Sequence, residues 1–243
     1  MSAPHDPSEL SARQATLTLA RRGTEFFGHE LDRLSDNELD GDSLMPGWTR
    51  RQVVAHVASN ARALGRLSRW ADTGIETVMY ASVDERNAEI TAGSILGSAA
   101  LRDSWADSAA DLDRSWRELS ADRWSNQVRN GQGAMVPLAD SIWMRSRELW
   151  IHAVDLDNGA GFVDLPKVFL TRLLGDITGT WSARGDGTRR LIATDSAQES
   201  FGNPDATENV TGSLADLAAW AAGRGQLGVI SEAGENPIAP RWL

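Results

Sequence analysis

The chain has 243 residues and a mass of 26.3 kDa, enough to bury a core as one large domain or two of ordinary size. Apolar residues make up 41% and charged residues 24%, the profile of a folded globular protein, and no stretch approaches the roughly 20 apolar residues of a membrane-spanning helix. Acidic residues outnumber basic ones by 34 to 24, a formal net charge of −10 with no basic run, and there is no cysteine, which sets aside nucleic acid, anionic membrane, disulfides, thiolate metal ligands and cysteine nucleophiles.

The polar segment Met1 to Leu10 has no signal-peptide core, so a cytoplasmic location is expected. From Ser8 to about Leu34, Leu10, Leu17, Leu19, Phe26, Phe27, Leu31 and Leu34 recur near helical spacing, interrupted by Gly23 and Gly28. That is the first helix. Met45-Pro46-Gly47-Trp48 is a turn, and Thr49 followed by Gln52 reads as a capping box opening a second helix that runs to about Trp70 and carries His56. Trp48, just ahead of the cap, is expected to act as a hydrophobic staple. Residues 72–97 form a longer connection with a short helix at Ser82 to Thr91, and Tyr80 and Arg86 within it are placed to reach a site. Ala99 to Leu119 is the third helix; a turn at Asn126 to Gly133 follows, and Pro137 is expected to open a fourth, ending near Asp157 before Asn158-Gly159.

Four long helices without intervening strands predict a four-helix bundle over residues 1–160. Beyond Gly161 the texture changes to a helix at Leu165 to Trp181, strands at Arg190 to Thr194, near Val210 and near Val229, and a helix at Leu214 to Ala222. The expectation is a mainly α protein with a smaller C-terminal α+β domain over residues 161–243.

The fourth helix, SIWMRSRELWIHAVDL, carries the chemistry. At about 100° per residue, Ser141, Arg145, Glu148, His152 and Asp155 form one polar stripe with apolar residues on both flanks, so it points to the bundle interior. Buried Glu and His are costly unless paired or bound to metal. The second helix supplies His56 among Val53, Val54, Val57 and Leu64, with Asn60 a turn away. Taken alone, His56 fits a hydrogen-bonded core histidine, and Glu148 with His152 fits an i,i+4 helix-surface pair. Together, each in apolar surroundings, His56, Glu148 and His152 favour a divalent metal, and three protein ligands leave the open position of a catalytic zinc site. His and carboxylate ligands also suit nickel, iron and manganese. His5 and His29 lie in polar surroundings and are not assigned to a site.

The runs GWTRRQVVAHVASNA, WMRSRELWIHAVDL and GSLADLAAWAAGRG resemble the DinB-like superfamily of metal-binding bundles and, within it, the mycothiol-dependent maleylpyruvate isomerases. The resemblance extends over nearly the whole chain. It implies a DinB-like four-helix bundle with a zinc site of two histidines and one glutamate, mapping onto His56, Glu148 and His152, followed by a small α/β domain with a functional arginine that maps onto Arg224. Many DinB-like proteins have three histidines instead, and the carboxylate here fits the isomerase subgroup. The implied activity is conversion of maleylpyruvate to fumarylpyruvate with mycothiol as the added thiol. A monomer or small homo-oligomer is expected, and the sequence leaves both open. Without the resemblance, Arg224 reads as a cap or ion-pair residue at the end of its helix.

Other readings stay open at this level. A mycothiol S-transferase would activate the thiol in the same way, and a non-catalytic bundle would keep only the metal site. A metallohydrolase is less well matched, because there is no H-E-x-x-H and no glutamate placed as a general base.

Overall fold

The computed structural model describes residues 7–198, 200–232 and 237–242, and the chain divides into two compact units, Met1–Gly159 and Ala160–Leu243. In the first unit the elements are α1 (Pro7–Asp32), α2 (Arg50–Thr73), α3 (Val83–Ser94), α4 (Ser98–Glu118), a two-stranded hairpin β1 (Gln127–Arg129) and β2 (Met135–Pro137), and α5 (Asp140–Asp155). Short 3-10 turns at Glu38–Asp40 and Ala121–Ser125 join them.

Helix α2 begins where its capping box requires: the Thr49 hydroxyl accepts from the Gln52 N–H, and the Gln52 side chain accepts from the Thr49 N–H at 2.8 Å. A cap of this kind stabilises a helix by about 1 kcal/mol. The helix stops at Gly74, whose φ of 75° is the left-handed conformation that glycine adopts without steric cost. The two glycines that interrupt α1 are points of close approach. A Cβ at Gly23 would lie 2.9 Å from the Trp150 indole nitrogen, and one at Gly28 would lie 2.8 Å from the Trp105 ring.

Helix α1 packs on α5, α2 packs on α4 and α5, and α3 lies against α2. Among the described residues, two core clusters run along this bundle. One holds Leu64, Leu67, Leu112, Trp116, Leu138 and Ile142; the other holds Phe27, Leu31, Val53, Leu101, Leu149 and Leu156. Each buried side chain of this size stabilises the fold by about 1.5–3 kcal/mol through area removed from water.

Two local expectations are corrected here. The Asn126 to Gly133 segment is part of a β-hairpin rather than a simple turn, with Asn130 Oδ1 accepting from the Gln132 and Ala134 N–H groups at 3.0 and 2.9 Å. Pro137 closes strand β2 and does not open a helix; α5 starts at Asp140 because the Leu138 and Ala139 N–H groups are held by the Asn126 and Trp124 carbonyls. A proline, having no N–H, is tolerated at the end of such an edge strand.

The second unit contains α6 (Lys167–Ala183), β3 (Arg189–Ala193), β4 (Ser200–Gly202), β5 (Glu208–Gly212), α7 (Leu214–Ala221) and β6 (Ile230–Ser231). Its sheet has the order β4-β3-β5-β6, with β3 and β5 parallel and the two outer pairings antiparallel. Helices α6 and α7 meet through Trp181 and Trp220, edge to face at 5.8 Å between centroids. Strand β4, too short and polar to show alternation, is absent from the sequence reading. No helix of the described residues is long and apolar enough to cross a membrane.

Candidate metal centre

The polar stripe of α5 is turned inward: Ser141, Arg145, His152 and Asp155 are all buried. Opposite it stands His56 on α2, also buried. The three side chains singled out by residue type meet, with one donor atom from each of His56, Glu148 and His152 lying within 4.8 Å of the other two. Glu148 Oε2 is 2.7 Å from His56 Nε2 and 3.2 Å from His152 Nε2. The two imidazole rings stand edge to face, 4.9 Å apart at an interplanar angle of 88°, so both ring nitrogens face one carboxylate oxygen. Glu148 keeps 27% of its side chain accessible, which leaves the cluster open to small molecules.

Helical spacing places the neighbours. His152 lies one turn after Glu148, and Asp155, three residues further on, accepts a hydrogen bond from His152 Nδ1 at 2.8 Å. That bond fixes the ring and directs Nε2 to the cluster, the carboxylate–histidine arrangement that orients metal ligands. Burial works against the imidazolium of His152, but the hydrogen bonds to Asp155 and Glu148 outweigh it and raise its pKa to about 9. Burial is also the main influence on His56, and here it prevails over the attraction of Glu148 and lowers the pKa. For Glu148, burial favours the neutral acid, yet the charge and hydrogen bonds of the two histidines hold the carboxyl well below its ordinary range. These are a carboxylate and a neutral imidazole suited to a cation, plus a second imidazole that gives up a proton when a cation replaces it. Two imidazole nitrogens and one carboxylate oxygen on rigid helices fit a divalent ion with an open position.

The rest of the stripe surrounds the cluster. Arg145 Nη1 donates to the Val57 carbonyl at 2.7 Å and to Asn60 Oδ1 at 3.0 Å, while its Nη2 is buried with no hydrogen-bond partner among the described residues. Burial lowers its pKa to about 10, which still leaves it charged near neutral pH. From the 72–97 connection, Arg86 Nη2 lies 3.3 Å from His56 Nδ1. The Tyr80 hydroxyl lies 3.2 Å from the Ser59 hydroxyl, and burial raises its pKa. Trp48, expected as a staple, is packed against the cluster around Val53 and also stands edge-on to the His56 ring at 5.8 Å.

Of the remaining predicted residues, Arg224 belongs to the second unit, just past α7, where Nη1 donates to the Ala222 carbonyl at 2.7 Å. His29 is an exposed residue of α1, and His5 lies outside the described residues. Sequence reasoning missed the specific partner of Asp155, although its i,i+3 offset from His152 was the available signal. The Arg86 contact had no such signal, since it joins α3 to α2 across 30 positions.

Residues 20–157 match the family model described as the mycothiol maleylpyruvate isomerase N-terminal domain. The whole chain is similar to a crystal structure of a mycothiol-dependent maleylpyruvate isomerase, at 46% identity and a TM-score of 0.90, covering 95% of this chain and 97% of that one. A variant of such an isomerase with one histidine replaced by alanine matches at 45% identity, with the same TM-score and coverage. Comparison with curated proteins finds no match.

Proposed function

As this chain belongs to the mycothiol maleylpyruvate isomerase family, we propose that it converts maleylpyruvate to fumarylpyruvate using mycothiol, with His56, Glu148 and His152 holding a zinc ion. The observation that carries the reading is the convergence of two imidazoles and a partly accessible carboxylate in a chain without a thiol of its own. Zinc supplies a positive charge that lowers the pKa of a nearby thiol from about 8.5, so that thiolate predominates near neutral pH.

Maleylpyruvate has a cis double bond conjugated to a carbonyl. Addition of the thiolate forms a C–S bond and moves the π pair onto the carbonyl oxygen as an enolate. The former double bond is then single and rotates. Collapse of the enolate restores the double bond, expels the thiolate and leaves the trans product, so the thiol is returned and nothing is oxidised or reduced. In this scheme Glu148 and the two histidines set the position of the positive charge, and Asp155 keeps the His152 ring in one orientation. Arg224 stabilises the developing enolate or a substrate carboxylate. On a protein with a net charge of −10, an anionic substrate needs such local cations.

The test is to incubate the protein with maleylpyruvate and a catalytic amount of mycothiol and to separate the products. Fumarylpyruvate in many-fold excess over the thiol supports the isomerase. Stoichiometric accumulation of an S-conjugate identifies an S-transferase instead.

Arg224→Ala is expected to keep the metal content and melting temperature of the native protein while losing activity. Removing a charge-assisted contact costs about 1.5–3 kcal/mol, roughly tenfold to a hundredfold in kcat/KM. Undiminished turnover, measured beside metal analysis, would reduce Arg224 to a helix cap.

A further inference from the structure

Arg86 stands at the rim of the cluster with no carboxylate partner among the described residues. It lies in the first turns of α3, is half-buried, and contacts His56 Nδ1 at 3.3 Å and the Asn87 side-chain oxygen at 3.3 Å. Of the acidic residues on the same helix, Asp84, Glu85 and Glu89, the latter two are committed elsewhere. Glu85 accepts from the Ala81 N–H, and Glu89 accepts from Ser59 at 2.6 Å and pairs with Arg66 at 3.1 Å. Arg145, another cation on this face, donates among the described residues to a carbonyl and an amide oxygen. Neither guanidinium hydrogen-bonds to a carboxylate among the described residues, although the charge of Glu148 acts on Arg145.

The Arg86 contact also depends on which nitrogen of His56 carries a hydrogen. A guanidinium can only donate, so the contact needs a lone pair on Nδ1 and places the ring hydrogen on Nε2, where it donates to Glu148. A neutral imidazole that gives its Nε2 lone pair to a cation must carry its hydrogen on Nδ1. Nδ1–H would then face the N–H of Arg86, donor against donor, and the contact is lost. Loading of the metal therefore frees a charged, partly exposed guanidinium at the edge of the centre.

We infer that Arg86 is a substrate-binding residue: it leaves His56 when the metal binds and grips a carboxylate of the anionic substrate. A planar fork of donors matches a carboxylate better than it matches a single ring nitrogen. The assignment rests on the proposed function for the identity of the substrate, but not for the exchange of partners at His56.

The experiment uses Arg86→Met, which keeps the aliphatic stem, along with Arg86→Gln and Arg86→Lys. Zinc affinity of the metal-free proteins is measured by competition with a chelator, and calorimetry measures binding of maleate, a cis-dicarboxylate, to the zinc-loaded proteins. In Arg86→Met and Arg86→Gln, zinc should bind as tightly as in the native protein or more tightly, since no contact has to be broken. Maleate should bind roughly tenfold to a hundredfold more weakly, with partial recovery in Arg86→Lys. A tenfold loss of zinc affinity in the neutral variants would overturn the inference, as would maleate binding equal to native, or no maleate binding by the native protein. If native protein binds maleate through Arg86 yet does not isomerise maleylpyruvate, the reaction assigned above fails and the role of Arg86 stands.

Discussion

Replacing any one of His56, Glu148 or His152 by alanine is expected to abolish activity and to reduce metal content from about one divalent ion per chain to a small fraction. Glu148 Oε2 lies 2.7 and 3.2 Å from the two histidine nitrogens, so each side chain supplies one of the three donors that converge among the described residues. Two remaining donors hold a cation far less tightly than three in a fixed arrangement. A bound cation contributes several kcal/mol of charge stabilisation, and a loss of about 4 kcal/mol corresponds to roughly a 10³-fold fall in rate. Elemental analysis after dialysis, together with circular dichroism to establish that the bundle persists, checks the expectation. Full occupancy in all three variants would dismiss the centre.

A comparably large effect is expected from leaving out the thiol. Activity should depend wholly on an added low-molecular-weight thiol, and treating the enzyme with iodoacetamide, then removing the reagent, should leave thiol-dependent activity unchanged. The chain has no cysteine among its 243 residues, so no protein thiolate exists to be alkylated or to add to a double bond. Isomerisation of a conjugated bond by addition and elimination requires a nucleophile that also leaves readily, and thiolates meet both demands near neutral pH. Water is a poor substitute. Maleylpyruvate turnover measured with and without mycothiol decides the matter: full activity without thiol would defeat the addition–elimination route even with the metal centre intact.

Helical periodicity and residue type were enough to indicate the four bundle helices and the inward stripe of α5, because an amphipathic helix announces both its period and its buried face in one dimension. The capping box at Thr49 and Gln52 marked the start of α2 for the same local reason. The histidines and the glutamate were legible as ligand types in apolar surroundings, and only their combination favoured a metal over a core histidine and an i,i+4 surface pair. Local pattern misled where pairing overrode it. Pro137 looks like a helix opening, yet hydrogen bonds from Leu138 and Ala139 back to Asn126 and Trp124 hold the chain in the hairpin until α5 begins at Asp140. Gly23 and Gly28 looked like interruptions of α1 and proved to be clearances for Trp150 and Trp105, residues more than 75 positions away. Only the tertiary structure decided that Asp155 orients His152, that Arg145 is a buried cation whose Nη2 has no hydrogen-bond partner among the described residues, and that Arg86 meets the far nitrogen of His56. The physical reason is directional: a sequence tells which groups need partners, since burial of polar atoms is costly everywhere, but hydrogen bonds depend on angles and distances of a few ångströms that only the packing of one helix on another sets.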